Sequence, residues 1–330
     1  MIVPVLLFAL GLVLLIKGGD WFVDGACGIA KRFHLPEILI GATVVSIGTT
    51  LPEVMVSATA AVQGSGEIAY GNAIGSIICN TSLIAALTVA IRPSKINKKP
   101  LLIPVCFFFG AAIFYSLVAY LTGYFSLLVG IILLATFAVY MGISIWQAFK
   151  NPEKTEESES LELPEAEAPS SKKALVKEIV LLIVGAALIA VGARLLVDNG
   201  TLIAEKLGVP ESVIALTFVA LGTSLPELVT AITSLLKGHG SLSLGNIIGA
   251  NLFNLVLVSG VSVALSPFAV PTSSQIAGMN TSLVLEIPLM FGVMLLLTVP
   301  ALIRGKLSRV QGISLLAIYA AFCVFQFVFN

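Results

Sequence analysis

Charge is scarce in this sequence. Only 11% of the 330 residues are Asp, Glu, Lys or Arg, whereas 58% are hydrophobic. A typical soluble domain is about 25% charged, so a soluble protein of this size would lack the side chains needed to cover its surface. Lys and Arg balance Asp and Glu at 18 each, which leaves no basic field for nucleic acid. The composition therefore indicates an integral membrane protein.

Cysteine and histidine are scarce too. The two histidines, His34 and His239, fall in short loops. Four cysteines lie in apolar runs without C-x-x-C spacing: Cys27, Cys79, Cys106 and Cys323. This pattern argues against a disulfide framework or a zinc site. An intramembrane enzyme would need a nucleophile–base pair or a metal centre. The sequence shows neither, so we expect no enzyme and no cofactor.

Ten apolar segments are long enough to cross a bilayer, which takes about 20 helical residues. We place them near 2–30, 36–63, 67–91, 100–121, 124–149, 174–204, 210–236, 242–265, 281–303 and 309–329. Between the fifth and sixth segments the sequence becomes rich in Glu and Pro, which predicts a solvated linker. The expected domains are an N-terminal five-helix repeat at 1–149, an acidic linker at 150–173 and a C-terminal five-helix repeat at 174–330.

Lys and Arg are unevenly divided between the two sides of the predicted bundle. Fifteen of the 18 lie on the side that holds the loop after the first span and the acidic linker. The positive-inside rule then places both termini outside and the linker in the cytoplasm. Because the chain starts with an apolar span without a basic leader, we expect a multi-pass protein of a bacterial or archaeal plasma membrane. A site inside one bundle predicts function as a monomer.

The two halves of the chain repeat each other. After a shift of 174 residues, Gly48–Glu53 (GTTLPE) aligns with Gly222–Glu227 (GTSLPE), and Gly71–Gly75 (GNAIG) aligns with Gly245–Gly249 (GNIIG). An ungapped alignment of 66 pairs around these motifs contains 24 identities. Since each half has five spans, the second half must enter the membrane from the opposite side. We predict an all-α membrane protein of ten transmembrane helices in two inverted five-helix repeats.

Glu53 and Glu227 lie inside spans 2 and 7, where a lone carboxylate costs at least about 2.5 kcal/mol. Each follows a proline, which cannot donate to the carbonyl four residues earlier. We predict that spans 2 and 7 split into half-helices near residues 48–51 and 222–225, and that spans 3 and 8 are broken at the same site. A pair of protonated glutamates that ties the helices together is the structural alternative.

Oxygen donors cluster around these glutamates in the sequence. Freed carbonyls near the proline breaks, neighbouring hydroxyls and amides on spans 3 and 8 form a hard oxygen set, which suits Ca2+ or Na+. The freed carbonyls belong to residues such as Ser46, Ile47, Ala220 and Leu221. The other candidate ligands are Thr49, Thr50, Glu53, Ser76, Asn80, Thr223, Ser224, Glu227 and Asn254. Hydrogen bonding within the helix is the alternative role for the hydroxyls. Asn72 and Asn251 could equally be helix-packing residues. Asp24 and Asp198 lie near the ends of their spans and could line an ion pathway or cap a helix.

The repeated G-T-[TS]-L-P-E and G-N-x-[IL]-G-[SA] motifs resemble the α-repeats of the sodium/calcium exchanger family, of prokaryotic type, within the cation/Ca2+ exchanger superfamily. The resemblance covers both repeats, at 41–83 and 215–257, and the ten-span layout. It implies ion binding between helices 2, 7, 3 and 8, with helices 1 and 6 sliding across the bundle. It also implies that the Ser46 and Ala220 carbonyls are ligands, together with the repeated Thr, Ser and Glu residues and, from helix 3, Ser76 and Asn80.

Three positions depart from the family pattern. Ala250 stands where many members have Ser, and Asn80 and Asn254 stand where members often have an acidic residue in one or both repeats. The linker is also too short for a large Ca2+-sensing domain. These departures leave the counter-ion and the stoichiometry open.

The two glutamates carry a charge of about −2 when ionised. One Ca2+, two Na+ or two protons would balance that charge. The expected function is therefore antiport of Ca2+ against Na+ through one shared site by alternating access. Exchange coupled to H+ or dependent on K+ is the close alternative, and a passive cation channel is the more distant one.

Overall fold

A computed structural model describes residues 2–150, 172–207, 222–272, 275–276 and 278–329, nearly all of them helical. The helices are α1 (Ile2–Arg32), α2 (Glu37–Val62), α3 (Gly66–Ile91), α4 (Lys98–Thr122), α5 (Leu127–Lys150), α6 (Lys172–Lys206), α7 (Leu225–Leu236), α8 (Gly240–Leu265), α9 (Ser282–Arg304) and α10 (Arg309–Phe329). Two short antiparallel pairs complete the described fold: β1 (Tyr124–Phe125) with β2 (Phe268–Ala269), and β3 (Gln275–Ile276) with β4 (Met279–Asn280).

Nine of these helices are long and apolar enough to cross a membrane within the described ranges. They match nine predicted spans to within a few residues, which confirms a helical, multi-pass membrane fold. Helix α7 is the C-terminal part of the predicted span 210–236. The first part of that span, 210–221, and most of the acidic linker, 151–171, lie outside the described residues.

Helix α2 does not split near residues 48–51, so that prediction was wrong. The helix runs from Glu37 to Val62 with Pro52 inside it, and its irregular part is an earlier π-helical turn at Gly41–Val45. A proline removes only one hydrogen bond from the helix, and an extra residue in a π-helical turn can change the helix twist without ending it.

Helices α3 and α8 are likewise continuous, and the predicted breaks are replaced by π-helical turns. These turns cover Asn80–Ala85 in α3 and Asn254–Val258 in α8. Both begin at repeat-related asparagines that the sequence selected as candidate ligands. π-helical turns expose backbone groups and are frequent at functional sites. The repeat is thus visible in local backbone geometry as well as in sequence.

Helix α7 begins abruptly at the second GT[TS]LPE motif. Thr223 and Ser224 form a turn, and the helix starts at Leu225 with Pro226 in its first turn. A proline is favourable there because its missing N–H has no partner within the helix. The predicted half-helix before this turn falls in the range that the structure does not describe.

The bundle is centred on helices α2, α3 and α8, whose residues are the most buried, whereas α1, α6 and α10 expose broad apolar faces. Helices α1 and α6 pack antiparallel through glycines spaced seven residues apart. A Cβ at Gly11 would lie 2.9 Å from the Gly192 carbonyl oxygen, and one at Gly18 would lie 2.9 Å from the Gly185 carbonyl oxygen. Gly185 and Gly192 are the repeat equivalents of Gly11 and Gly18, so the two helices exchange partners as a two-fold axis requires. Small residues are what permit such close approach in membranes.

We expect Gly18→Val to lower the free energy of unfolding by about 1–3 kcal/mol, because the new side chain overlaps the backbone of α6. Gly110→Val is the matched control, since a Cβ at Gly110 would meet no atom within 4 Å among the described residues. Denaturant titration of both variants in detergent measures the difference. Equal stability of the two variants would contradict the close contact between α1 and α6.

Candidate cation-binding site

Glu53 and Glu227 meet in the middle of the bundle. Both side chains are completely buried, and their carboxyl groups are close enough to interact directly. Neither Glu53 carboxyl oxygen receives a hydrogen bond from any described residue. Glu227 accepts one long contact, 3.5 Å, from the Thr50 hydroxyl. Two carboxyl groups with so few donors require a cation or a proton to be stable at this depth.

The two π-helical turns border this carboxyl pair. Helix α2, which carries Glu53, packs against the turn that begins at Asn254, and α7, which carries Glu227, packs against the turn that begins at Asn80. Both asparagines are fully buried. Within the described ranges, neither the oxygen nor the nitrogen of either amide has a hydrogen-bond partner. An amide can offer its oxygen to a cation and its NH2 to a carboxylate, so both groups fit this position.

Two threonine–asparagine pairs join the repeats. The Thr49 hydroxyl donates to Oδ1 of Asn246 over 3.2 Å, and the Thr223 hydroxyl donates to Oδ1 of Asn72 over 3.2 Å. The two pairs are equivalent under the repeat, because Thr223 corresponds to Thr49 and Asn72 corresponds to Asn246. Each threonine therefore depends on an amide from the opposite half of the chain.

The amide of Asn72 also supports the helix that carries Glu53. Its nitrogen donates to Oγ of Ser57 (2.8 Å) and to the Glu53 carbonyl oxygen (3.2 Å). Asn72 is thus a positioning residue between α2, α3 and α7. Asn246 is the repeat equivalent of Asn72, and its Oδ1 accepts from Thr49, but its nitrogen has no hydrogen-bond partner among the described residues. The sequence marks Asn246 only by its identical GN pair and did not place it among the candidate ligands.

The remaining predicted ligands fall into three groups. The side chains of Ser46, Thr49, Thr50, Ser76 and Ser224 are buried near the carboxyl pair or on the helices that hold it. The Ser46 hydroxyl lies within hydrogen-bond distance of the carbonyl oxygens of Gly41 (2.7 Å) and Asn246 (2.9 Å) and can donate to either, so it packs α2 against α8. Thr223 is half-buried. Ala220 lies outside the described residues.

Hydrogen bonding within the helix, the alternative role for the hydroxyls, is only partly realised. Thr49 lies 3.5 Å from the Ser46 carbonyl oxygen, farther than its 3.2 Å contact with Asn246. Asn251, which the sequence left open, is a packing residue. Its nitrogen donates to the Thr81 hydroxyl over 2.7 Å and lies 3.2 Å from the Met294 sulfur.

The repeated aspartates differ from each other. Asp24 forms an ion pair with Lys237 at 2.7 Å. This contact favours a structural role for Asp24 over a role in an ion pathway. Asp198 pairs with Arg194 at 3.6 Å on the exposed face of α6. Asp198 also lines a cavity of about 920 Å³ that reaches Pro52 and Thr223 beside the carboxyl pair.

Family comparison agrees with this geometry. A sequence model for the family described as sodium/calcium exchanger protein matches residues 3–146 and 177–328. The chain belongs to the sodium/calcium exchanger family. One relative, the sodium/calcium exchanger MaX1 of Methanosarcina acetivorans, is 31% identical to this chain over 98% of each protein. An uncharacterized membrane protein of Methanocaldococcus jannaschii is 35% identical over 94% of each chain.

A solved structure has the same architecture as this family member. The sodium–calcium exchanger NCX_Mj, soaked with 2.5 mM Na+ and 10 mM Sr2+, superposes with a TM-score of 0.80 at 33% identity, over 97% of each chain. Membership confirms the family predicted from the motifs. It also establishes a multi-pass membrane transporter for cation/Ca2+ exchange, not an enzyme, that moves its ions without a cofactor.

The two threonine–asparagine pairs predict a specific pattern of energetic coupling. In double-mutant cycles with Thr→Val and Asn→Ala, the bonded pairs Thr49–Asn246 and Thr223–Asn72 should each couple by about 0.5–1.5 kcal/mol. The crossed pairs Thr49–Asn72 and Thr223–Asn246 are the matched controls and should couple more weakly, because no hydrogen bond joins them directly. Denaturant unfolding in detergent measures all four cycles. Equal coupling in bonded and crossed pairs would show that the hydrogen bonds do not connect the repeats as described.

Proposed function

We propose that the protein exchanges Ca2+ for Na+ by alternating access through one site between α2, α3, α7 and α8. The observation that carries this proposal is the contact between the buried carboxyl groups of Glu53 and Glu227, whose oxygens have almost no donors in the described structure. A hard cation replaces those missing donors with oxygen ligands of the kind that Ca2+ and Na+ prefer.

The proposed ligands extend from this pair. Glu53 and Glu227 supply the charge, and the neutral amides of Asn80 and Asn254 supply oxygens from the π-helical turns. Hydroxyl and carbonyl oxygens complete the set. They come from the two GT[TS]LPE motifs, from the residues two positions before each motif and from α3: Ser46, Thr49, Thr50, Ser76, Ala220, Thr223 and Ser224. The threonine–asparagine bonds support this assignment because they hold the hydroxyls in matching positions in the two repeats.

The proposed movement is a shift of α1 and α6 as one unit across the other helices. Their close glycine contacts support a rigid pair, and their exposed apolar faces support a position at the lipid boundary. In the proposed topology, both termini are outside, the 150–173 linker is in the cytoplasm of the cell and the five-helix halves are 1–149 and 174–330. One chain contains the whole site, so the proposed functional unit is a monomer in the plasma membrane.

Charge-neutral substitutions of the glutamates test the proposal. Glu53→Gln and Glu227→Gln should each abolish Na+-driven Ca2+ uptake into proteoliposomes, because one carboxylate cannot neutralise Ca2+ at this depth. Glu286→Gln is the matched control: Glu286 is a half-buried glutamate in a π-helical turn of α9, outside the repeated motifs. It should retain uptake.

Robust uptake by either Glu53→Gln or Glu227→Gln would contradict the assignment of the site. Uptake that ignores Na+ but follows a pH gradient would keep the site and replace the counter-ion by H+, and a requirement for K+ would indicate K+-dependent exchange. Unitary currents without an obligatory counter-ion would indicate a channel.

The neutral asparagines lead to a prediction about voltage. With only two ionised carboxylates, charge balance favours about two Na+ for each Ca2+, and such exchange moves no net charge. We therefore expect Na+-driven Ca2+ uptake to be unchanged when membrane potential is clamped at different values with K+ and valinomycin. Asn254→Asp adds a carboxylate and should make uptake voltage-dependent. Strong voltage dependence in the unmodified protein would show that more than the two carboxylates sets the stoichiometry.

A further inference from the structure

Three side chains that are distant in sequence meet at one end of the bundle. The ligand atoms of Cys27, Glu37 and His239 all lie within 4.8 Å of one another. They come from the last turns of α1, the first residue of α2 and the residue that precedes α8. The cysteine spacing argued against a zinc site, and no local motif joins these residues. The fold nevertheless brings together a thiol, a carboxylate and an imidazole.

Backbone turns hold two of these residues in place. The amide of His239 donates to the Ser234 carbonyl over 2.7 Å, just after Gly238 adopts a φ of +86°. Glu37 begins a helix directly after Pro36, whose carbonyl accepts from Leu39. The side chains then meet, with Nδ1 of His239 2.7 Å from Oε1 of Glu37. Little rearrangement separates this contact from the joint coordination of one ion.

Burial of the cluster also suits a metal ion. The Cys27 side chain is 5% exposed, whereas His239 and Glu37 are 23% and 29% exposed. The thiol is therefore shielded while the other two ligands reach the surface, where an ion can enter and a water can fill a fourth position. Three protein ligands plus water is a common tetrahedral arrangement for Zn2+.

Nearby charges do not exclude a cation. Lys237 is two residues from His239, but its ammonium group is held by Asp24 at 2.7 Å and by Asp20 at 3.5 Å. Lys31 also lies close enough to Cys27 to interact with it electrostatically. The two aspartates therefore balance the two lysines, and the carboxylate of Glu37 remains to attract a divalent ion.

We infer that Cys27, Glu37 and His239 form a binding site for a thiophilic divalent ion such as Zn2+ or Cd2+, separate from the site for the transported ions. A thiolate and an imidazole select such metals over Ca2+ and Na+, which prefer oxygen ligands. A bound ion ties α1 to α2 and α8. This second consequence rests on the proposed function: if α1 must move against α2 and α8 during exchange, the bound metal stops transport.

Cobalt spectroscopy tests the binding site without any transport assay. Purified protein in detergent is titrated with Co2+, whose bond to a thiolate gives a near-ultraviolet charge-transfer band and whose tetrahedral geometry gives strong visible bands. Zn2+ should then displace Co2+ from the protein. Cys27→Ser should abolish the charge-transfer band, and His239→Gln should weaken binding at least about tenfold. The matched controls Cys106→Ser, Cys79→Ser and His34→Asn should leave both the band and the affinity unchanged.

Absence of a thiolate band in the unmodified protein, or its persistence in Cys27→Ser, would overturn the site. Unfolding is excluded as a cause when the variants elute and melt like the unmodified protein. In proteoliposomes, Zn2+ on the side of this cluster should inhibit Ca2+ uptake by the unmodified protein and have little effect on His239→Gln. Metal binding without inhibition of Ca2+ uptake would refute only the claim that the bound metal stops transport. If the unmodified protein shows no exchange at all, the proposed function is refuted, and the cobalt spectra still test the metal site independently.

Discussion

Two neighbouring carboxyl groups, buried inside the membrane bundle, are the constraint on which the rest of the structure depends. Each belongs to a different half of the chain, and each is fully buried. Almost no hydrogen-bond donors reach their oxygens among the described residues, so a cation or a proton is needed to offset the loss of water. The hydroxyls, the amides and the π-helical turns of α3 and α8 supply that environment. The bundle is therefore organised around an oxygen-lined centre instead of a continuous apolar core.

Neither repeat can build this centre alone. Thr49 needs Asn246, Thr223 needs Asn72, and the helix of each glutamate packs against the π-helical turn of the other repeat. The repeat is therefore visible in the hydrogen bonds of the fold as well as in the sequence. In the proposed site, the two halves place equivalent oxygens on both sides of the ion, which would give the two membrane faces similar access to one set of ligands.

The sequence alone predicted the spans, the repeat, the family and the burial of the two glutamates. Hydropathy and motif spacing are properties of the linear sequence, so they can be recognised without the fold. It was insufficient for the form of the helix irregularities. A proline removes one hydrogen bond, and the chain can respond with a break or with a π-helical turn; only packing decides between them. Partners across the repeat, such as Asn246 for Thr49, were missed for the same reason. Cys27 and His239 are far apart in sequence, so their meeting depends entirely on the fold.

The buried charge also explains why an exchanger is favoured over a leak. Each unpaired carboxylate at bilayer depth costs at least about 2.5 kcal/mol, so a cation-free, doubly ionised site costs about 5 kcal/mol. That energy makes such a state rarer by a factor of roughly a thousand or more, since 1.4 kcal/mol is a factor of ten. In the proposed mechanism, a shift of α1 and α6 without a bound cation would require this doubly ionised, cation-free state. Cations or protons that neutralise Glu53 and Glu227 remove the penalty, so movement becomes coupled to ion binding on both sides.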